Sequence, residues 1–193
     1  MVNAIIMASG FSKRMGENKL LLDYKGISII EHVFKEVSKS NFKEVTLVSQ
    51  YEEVLKLGKE YNFKCIKNNN ADIGQSESIK LGIKNSSNCD GYMFFVGDQP
   101  KIRSEMINML IKRFEENKDK IVIPRSNNRT GNPVIFPYNK KEELLLLKND
   151  EKGKKIINNS SEIIYLEVDE ELLFDIDTKK DYERLRGEQK WKK

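Results

Sequence analysis

The chain has 193 residues, of which 38% are hydrophobic, 9% aromatic and 33% charged, the composition of one folded domain with a well-solvated surface. Its 34 basic and 30 acidic side chains are interspersed, for a net charge of +4, and a dense basic group occurs only in the closing KWKK, so the concentrated stripe of a nucleic-acid binder is missing. No stretch reaches the roughly 18 apolar residues of a membrane span, and the opening MVNAII lacks the basic and long apolar regions of a signal peptide; a cytoplasmic protein with neither a membrane nor a nucleic-acid partner is expected.

The first element is an apolar run at residues 3 to 8, NAIIMA, which has the character of a buried strand. It stops at Ala8-Ser9-Gly10, and Arg14 and Lys19 follow. Small residues let phosphates approach backbone amides, and an Arg fork beside a Lys point charge could neutralise a polyphosphate. An ordinary strand-to-helix turn with solvated cations reads the same stretch equally well, since neither standard nucleotide fingerprint is present.

A helix over 28–40 follows, with Ile29, Ile30, Val33, Phe34 and Val37 on one face. His32, the only histidine of the chain, belongs to that helix surface, which removes histidine triads and His-ligated metals. A strand at 45–49, a helix at 51–61 and a second helix at 75–85 come next. Cys65 and Cys89 stand far apart and form no CxxC pair, so they read as small hydrophobes of a reducing compartment.

The strand at 92–97 runs directly into Gly97-Asp98-Gln99-Pro100. In open parallel sheets ligands bind beyond the carboxyl ends of strands, and a hard cation such as Mg²⁺ is commonly held there by one or two carboxylates plus substrate phosphates. Capping of the next helix, at 103–117, is the alternative role for Asp98, but the separation is long and Ser104 is better placed.

A strand at 120–124 ends the alternating set, which predicts an α/β fold with a mostly parallel sheet covered by helices on both faces. A polar loop, RSNNRTGN, then leads to PVIFP, a helix near 139–147 and strands near 163–168 and 172–176. These read as antiparallel additions to the same domain. In FDIDTKKD, Asp175 and Asp177 alternate in an extended segment, so only one is expected to face a site; Asp177 could complete a metal site with Asp98 or support the start of the last helix. That helix, Thr178 to Arg186, opens on Thr178 with Asp181 three residues on, close to a capping box. Residues 1–187 form the expected single domain, and 188–193 a frayed basic tail.

Taken together, ASGFSKRMGENK (residues 8–19) resembles the AxGxSxRMGxxK signature of nucleotidyltransferases that join a nucleoside triphosphate to a phosphorylated acceptor. The continuation KLLLDYKG and then NNNADIGQSESIKLGI, GDQP, GNPVIF and DIDTKKDYERL, in that order, resemble the molybdenum cofactor cytidylyltransferases, which share a fold with the corresponding guanylyltransferases. The likeness spans residues 3 to about 186. It implies a three-layer α/β/α Rossmann-like nucleotidyltransferase fold and transfer of CMP from CTP to the phosphate of molybdopterin carrying molybdenum. Ala8, Ser9 and Gly10 would hold the nucleotide, Arg14 and Lys19 its triphosphate, and Asp98, with Asp177, would hold Mg²⁺. Gly74, Ser76 and Ser78 match a Gly-x-Ser-x-Ser-Leu nucleotide loop, although Ser76 also fits as a helix cap, and Gly97 is expected among the nucleotide-binding residues.

Three departures accompany the match: Ser9 where Ala or Gly is usual, Ile79 where Leu is usual, and NDEKGK at 149–154 where the family has GDxGAR. The alternatives are a guanylyltransferase for the same cofactor, a cytidylyltransferase for a sugar or polyol phosphate, and a non-catalytic nucleotide sensor. Delivery of the finished cofactor to a client molybdenum enzyme is compatible with catalysis.

Overall fold

In the computed structural model, which describes residues 1 to 187, strand β1 (Val2–Met7) lies inside the sheet and is buried on both faces. That explains its unbroken apolar run: Ala4 and Ile6 point to one layer of helices and Ile5 to the other. Beyond β1 come a short hairpin, β2 (Asp23–Tyr24) and β3 (Ile27–Ser28), helix α1 (Ile29–Ser38), β4 (Glu44–Ser49), α2 (Glu52–Glu60) and β5 (Lys64–Lys67). Helix α3 (Gln75–Asn85), β6 (Gly91–Val96), α4 (Ser104–Glu115) and β7 (Ile121–Ser126) complete the alternating part. The remainder is β8 (Arg129–Thr130), β9 (Val134–Pro137), α5 (Lys141–Leu145), α6 (Lys154–Asn158), β10 (Ile163–Glu167) and α7 (Lys179–Gly187).

The sheet order is β10-β7-β9-β6-β1-β4-β5, with β8 paired to β7. β1 is parallel to both β4 and β6, and β10 is parallel to β7, whereas β9 is antiparallel to β6 and β7. The fold is thus the expected α/β class, a mostly parallel sheet with antiparallel additions, but those additions are β8 and β9; the strand expected as antiparallel at 163–168 instead joins β7 in parallel, because the chain returns through α5 and α6 before reaching it. The expected strand at 172–176 is not formed: Glu170–Leu173 make a 3-10 turn and the chain then crosses the ends of the strands in extended form. Only one backbone bond ties it to the sheet side, from Ile176 N to Asp98 O at 3.1 Å, because no strand edge is available there to ladder with.

Helices α1, α2 and α4 bury one face of the sheet, and α3, α5 and α6 the other. Phe34 of α1 is wholly buried with the Tyr61 and Phe63 rings at 5.5 and 5.3 Å, an aromatic anchor whose truncation costs about 3–5 kcal/mol. A third, smaller cluster joins Met15, Tyr24 and Ile29 to Ile176 and Leu185. It fastens the final helix and the Asp175–Asp177 segment to the loop after β1. The capping expectation for α7 holds, since Thr178 N and Oγ1 both donate to Asp181 Oδ2, at 2.8 and 2.7 Å. No helix among the described residues is long and apolar enough to cross a membrane, and the proposed frayed tail at 188–193 lies outside the described residues.

Candidate active site

The carboxyl ends of β1 and β6 open into a cavity of about 740 Å³ lined by the loop after β1, the start of α3, Gly97-Asp98, and the segments around 130–134, 150–154 and 175–177. Its floor at β1 is fixed by side chains that occupy carbonyls. Ser49 Oγ donates to Ala8 O (2.8 Å), Gln50 Nε2 to Ser9 O (2.7 Å) and Tyr51 Oη to Gly10 O (2.8 Å). The amides of Ser9 and Gly10 have no partner among the described residues, and both residues line the cavity. Carbonyls turned into the protein beside unspent amides suit an anion. Ser9, the departure from Ala or Gly, is accommodated by Asn68, whose Nδ2 reaches Ser9 Oγ at 3.4 Å and Ser78 Oγ at 3.2 Å.

The loop after β1 is shaped locally. Ser12 and Gly16 take positive φ of 50° and 77°, Met15 is buried in the third cluster, and Asn18 caps the 3-10 turn at Lys19–Leu21 by accepting from Leu20 N at 3.2 Å. Lys19 is thereby held with only 12% of its side chain accessible, whereas Arg14 projects with 73% accessible.

Lys19 Nζ lies 2.5 Å from Asp98 Oδ2, 2.5 Å from Ile176 O and 3.4 Å from Asp177 Oδ1, so its three N–H bonds have three oxygen acceptors. Arg14 Nη1 stands 3.6 Å from Asp177 Oδ2. Burial works against the Lys19 charge, but Asp98 and Asp177 outweigh it and hold the ammonium above its ordinary value. Burial pushes the Asp98 carboxyl up, with Lys19 pulling the other way. A lone carboxylate is costly in such a place and requires a cation. Asp98 is no helix cap, because α4 starts at Ser104, whose amide is taken by Glu36 Oε2 at 2.9 Å; nor does Ser104 act as the cap, since Arg103 holds that position.

Several expectations are revised. Asp175 and Asp177 both line the cavity, because the segment is not a regular strand; Asp175 pairs with Arg129 at 3.2 Å. Ser76 is neither a cap nor a wall of the cavity. It is completely buried, its Oγ has no hydrogen-bond partner among the described residues, and α3 begins one residue earlier behind Gly74. Ser78 and Gly74 do line the cavity. So does Gly97, where an added Cβ would come within 3.1 Å of both Leu20 and Ile30. Asn68 and the carbonyl of Ile176 went unnoticed in the sequence; the first stands in the run NNN, and a backbone acceptor leaves no trace in side-chain identity.

Among the described residues no cluster of three or more His, Cys, Asp or Glu side chains could hold a metal by itself. Two carboxylates remain, Asp98 at the end of β6 and Asp177 in the segment that crosses it, and their Oδ2 and Oδ1 atoms converge with the Ile176 carbonyl on one point, now held by Lys19 Nζ at 2.5, 3.4 and 2.5 Å. Such hard oxygen donors fit Mg²⁺ or Mn²⁺ completed by a substrate's phosphates.

A mostly parallel sheet with cations, carboxylates and unspent amides gathered at its strand ends is the arrangement of a nucleotidyltransferase. The chain belongs to the family of the MobA-like NTP transferase domain, whose model matches residues 4–163. It is similar to a probable molybdenum cofactor guanylyltransferase of Natranaerobius thermophilus, 31% identical over 203 aligned positions covering 96% of this chain and 95% of that one. The purine catabolism protein PucB of Bacillus subtilis is 24% identical, with 94% of each chain covered. Among solved structures, Rv0371c of Mycobacterium tuberculosis H37Rv superposes with a TM-score of 0.83 at 21% identity, covering 96% of this chain and 97% of that one. Rv0371c has also been crystallised in complex with manganese.

Proposed function

We propose that this nucleotidyltransferase moves CMP from CTP to the phosphate of molybdopterin carrying molybdenum, giving the cytosine dinucleotide form of the cofactor and pyrophosphate. The observation that carries the transfer chemistry is the chain of contacts of 2.5 to 3.6 Å that joins Arg14 to Asp177, Asp177 to Lys19 and Lys19 to Asp98 at the end of β6. The unspent amides of Ser9 and Gly10 receive phosphate oxygens, and Lys19 and Arg14 neutralise charge that accumulates on the leaving pyrophosphate. A phosphate oxygen of the acceptor forms the new bond to the α-phosphorus as the bond to the β-phosphate oxygen breaks. The acceptor phosphate is already anionic at neutral pH, so no histidine base is needed, and the protein's work is alignment.

Asp98 and Asp177 would hold Mg²⁺, which when bound supplies Lewis-acid stabilisation of the phosphoryl oxygens; the manganese complex of Rv0371c supports a divalent cation in this fold. CTP is preferred as donor because KLLLDYKG and GQSESIKLG incline to the cytidylyl form. A second reading, GTP as donor, is favoured by the name of the relative at 31% identity. Pyrophosphate release from CTP, GTP, ATP and UTP, each with and without molybdopterin, tests the proposal. Turnover of CTP that depends on the acceptor is expected; strong GTP turnover with none from CTP would overturn the donor, and turnover with neither would overturn the function.

A further inference from the structure

The two cations assigned to the triphosphate and the two carboxylates assigned to the metal already have partners, namely each other. Lys19 Nζ sits on Asp98 Oδ2 and reaches Asp177 Oδ1, and Arg14 stands at Asp177 Oδ2. The other oxygen of Asp98 is sealed from solvent, so a metal can reach this carboxylate only at Oδ2, the atom that the ammonium holds. Ile176 O, the remaining hard donor, is held by the same ammonium at 2.5 Å.

We propose that Lys19 is an internal placeholder for the divalent cation, and that the metal and the ammonium occupy the same oxygens in turn. The inference rests on the reading of Asp98 and Asp177 as metal carboxylates. Charge balances in both arrangements. Two carboxylates are matched by Lys19 and Arg14 in the free protein and by one divalent ion in the loaded one, which liberates two positive charges where a polyanion is arriving. The four-carbon stem of Lys19 lets its charge swing while its backbone stays pinned by the Asn18 cap, and Arg14 is free to turn. The buried Asp98 carboxylate is never left without a cation. A consequence follows for binding order: the metal alone must expel Lys19 with no new acceptor for it, whereas metal and triphosphate together provide one, so each ligand strengthens the other.

Mn²⁺ binding read by the EPR signal of the free ion, without nucleotide, tests this on the full chain. Lys19→Met is expected to bind Mn²⁺ at least tenfold more tightly than the wild type, and Asp98→Asn in the same background to abolish binding. If Lys19→Met binds no more tightly while Asp98→Asn still removes the ion, the exchange is refuted and the metal site stands. If Asp98→Asn leaves Mn²⁺ binding unchanged, the metal reading falls and the exchange with it. Should Lys19→Met fail to fold, the wild type supplies the readout. Its shielded ammonium is expected to give a slowly exchanging ¹H–¹⁵N signal that saturating Mg²⁺ and CTP move or erase; an unchanged signal in that saturated state overturns the placeholder.

Discussion

Gly74→Ala should be among the most damaging single-methyl additions in the protein, and its magnitude can be worked from the backbone. Gly74 has φ +126° and ψ −171°, a region essentially confined to glycine, where a side chain costs about 1–3 kcal/mol. An added Cβ would also lie 2.6 Å from Asn149 O and 2.7 Å from Asp150 Cα. These are backbone atoms that cannot rotate aside, so the 149–154 segment must move away from α3. That motion sacrifices Ser76 N to Asn149 O, at 3.3 Å, and Gln75 N to Asp150 Oδ1, at 3.4 Å, both long and each contributing about 0.5 kcal/mol. The expected loss is about 2–4 kcal/mol, a large part of the roughly 5–15 kcal/mol that holds a domain together.

Urea unfolding followed by circular dichroism measures the change as a lower midpoint at unchanged slope. Gly10→Ala is the control, since its Cβ would meet nothing within 4 Å and its φ is not in the left-handed region; it should stay within about 0.5 kcal/mol of wild type. A Gly74→Ala protein as stable as the Gly10→Ala control would refute the contact between α3 and the 149–154 segment. Because Lys152 and Lys154 line the cavity from that segment, the same variant should also raise the KM for substrate.

Asp98→Asn should lower kcat by at least about a hundredfold, the scale of losing a major electrostatic contribution, while its far-UV spectrum stays that of the wild type; near-normal turnover would refute the role given to Asp98. Burial holds the His32 imidazole below its ordinary 6.5, against the pull of the Tyr24 carbonyl at 2.7 Å. The unfolded chain therefore takes up the proton first, and wild-type stability should fall as pH drops below about 6.5; His32→Gln should remove that component in unfolding measured between about pH 7.5 and 5.5. Burial opposes ionisation of Glu36, but Lys39 and the Ser104 amide prevail and hold its carboxyl below 4.5. Glu36→Ala should cost about 1–2 kcal/mol at pH 7 as the lost cap of α4, and the gap to wild type should close as pH falls through that depressed value, which thermal unfolding across an acid series would show.

What could be read from the sequence follows from which groups leave a mark on it. β1, β4, β6 and β7 are covered on both faces, so each is an apolar run that needs no partner to identify it. β5 hid because it is an edge strand with lysines at both ends and only Cys65 and Ile66 between them. The run at 172–176 misled for the opposite reason: Leu172 packs on the cluster of α1, α2 and α4, Leu173 is buried against Gly131 and Ile176 joins the third cluster, none of them in a strand. Arg14, Lys19 and Asp98 were legible as residue types at strand ends. The contacts of Lys19 and Arg14 with residues 176–177 were not, because they depend on the third cluster bringing that segment across to a loop more than 150 positions earlier.

The departure at 149–154 shows how a sequence mismatch divides once the backbone is known. Asn149, where the resembling enzymes carry Gly, has φ +51°, a left-handed conformation that Asn adopts more readily than other side chains. The carbonyl of that residue still meets Ser76 N, so the course of the loop over α3 is kept. Lys152, where those enzymes carry a second Gly, is exposed and lines the cavity with no carboxylate in ion-pair range among the described residues. Gly153 packs its bare Cα on Phe136, where a Cβ would come within 2.8 Å of the ring, which sets the segment close against β9 and turns both neighbouring lysines toward solvent. One substitution therefore preserves the shape of this wall of the cavity and another changes its charge.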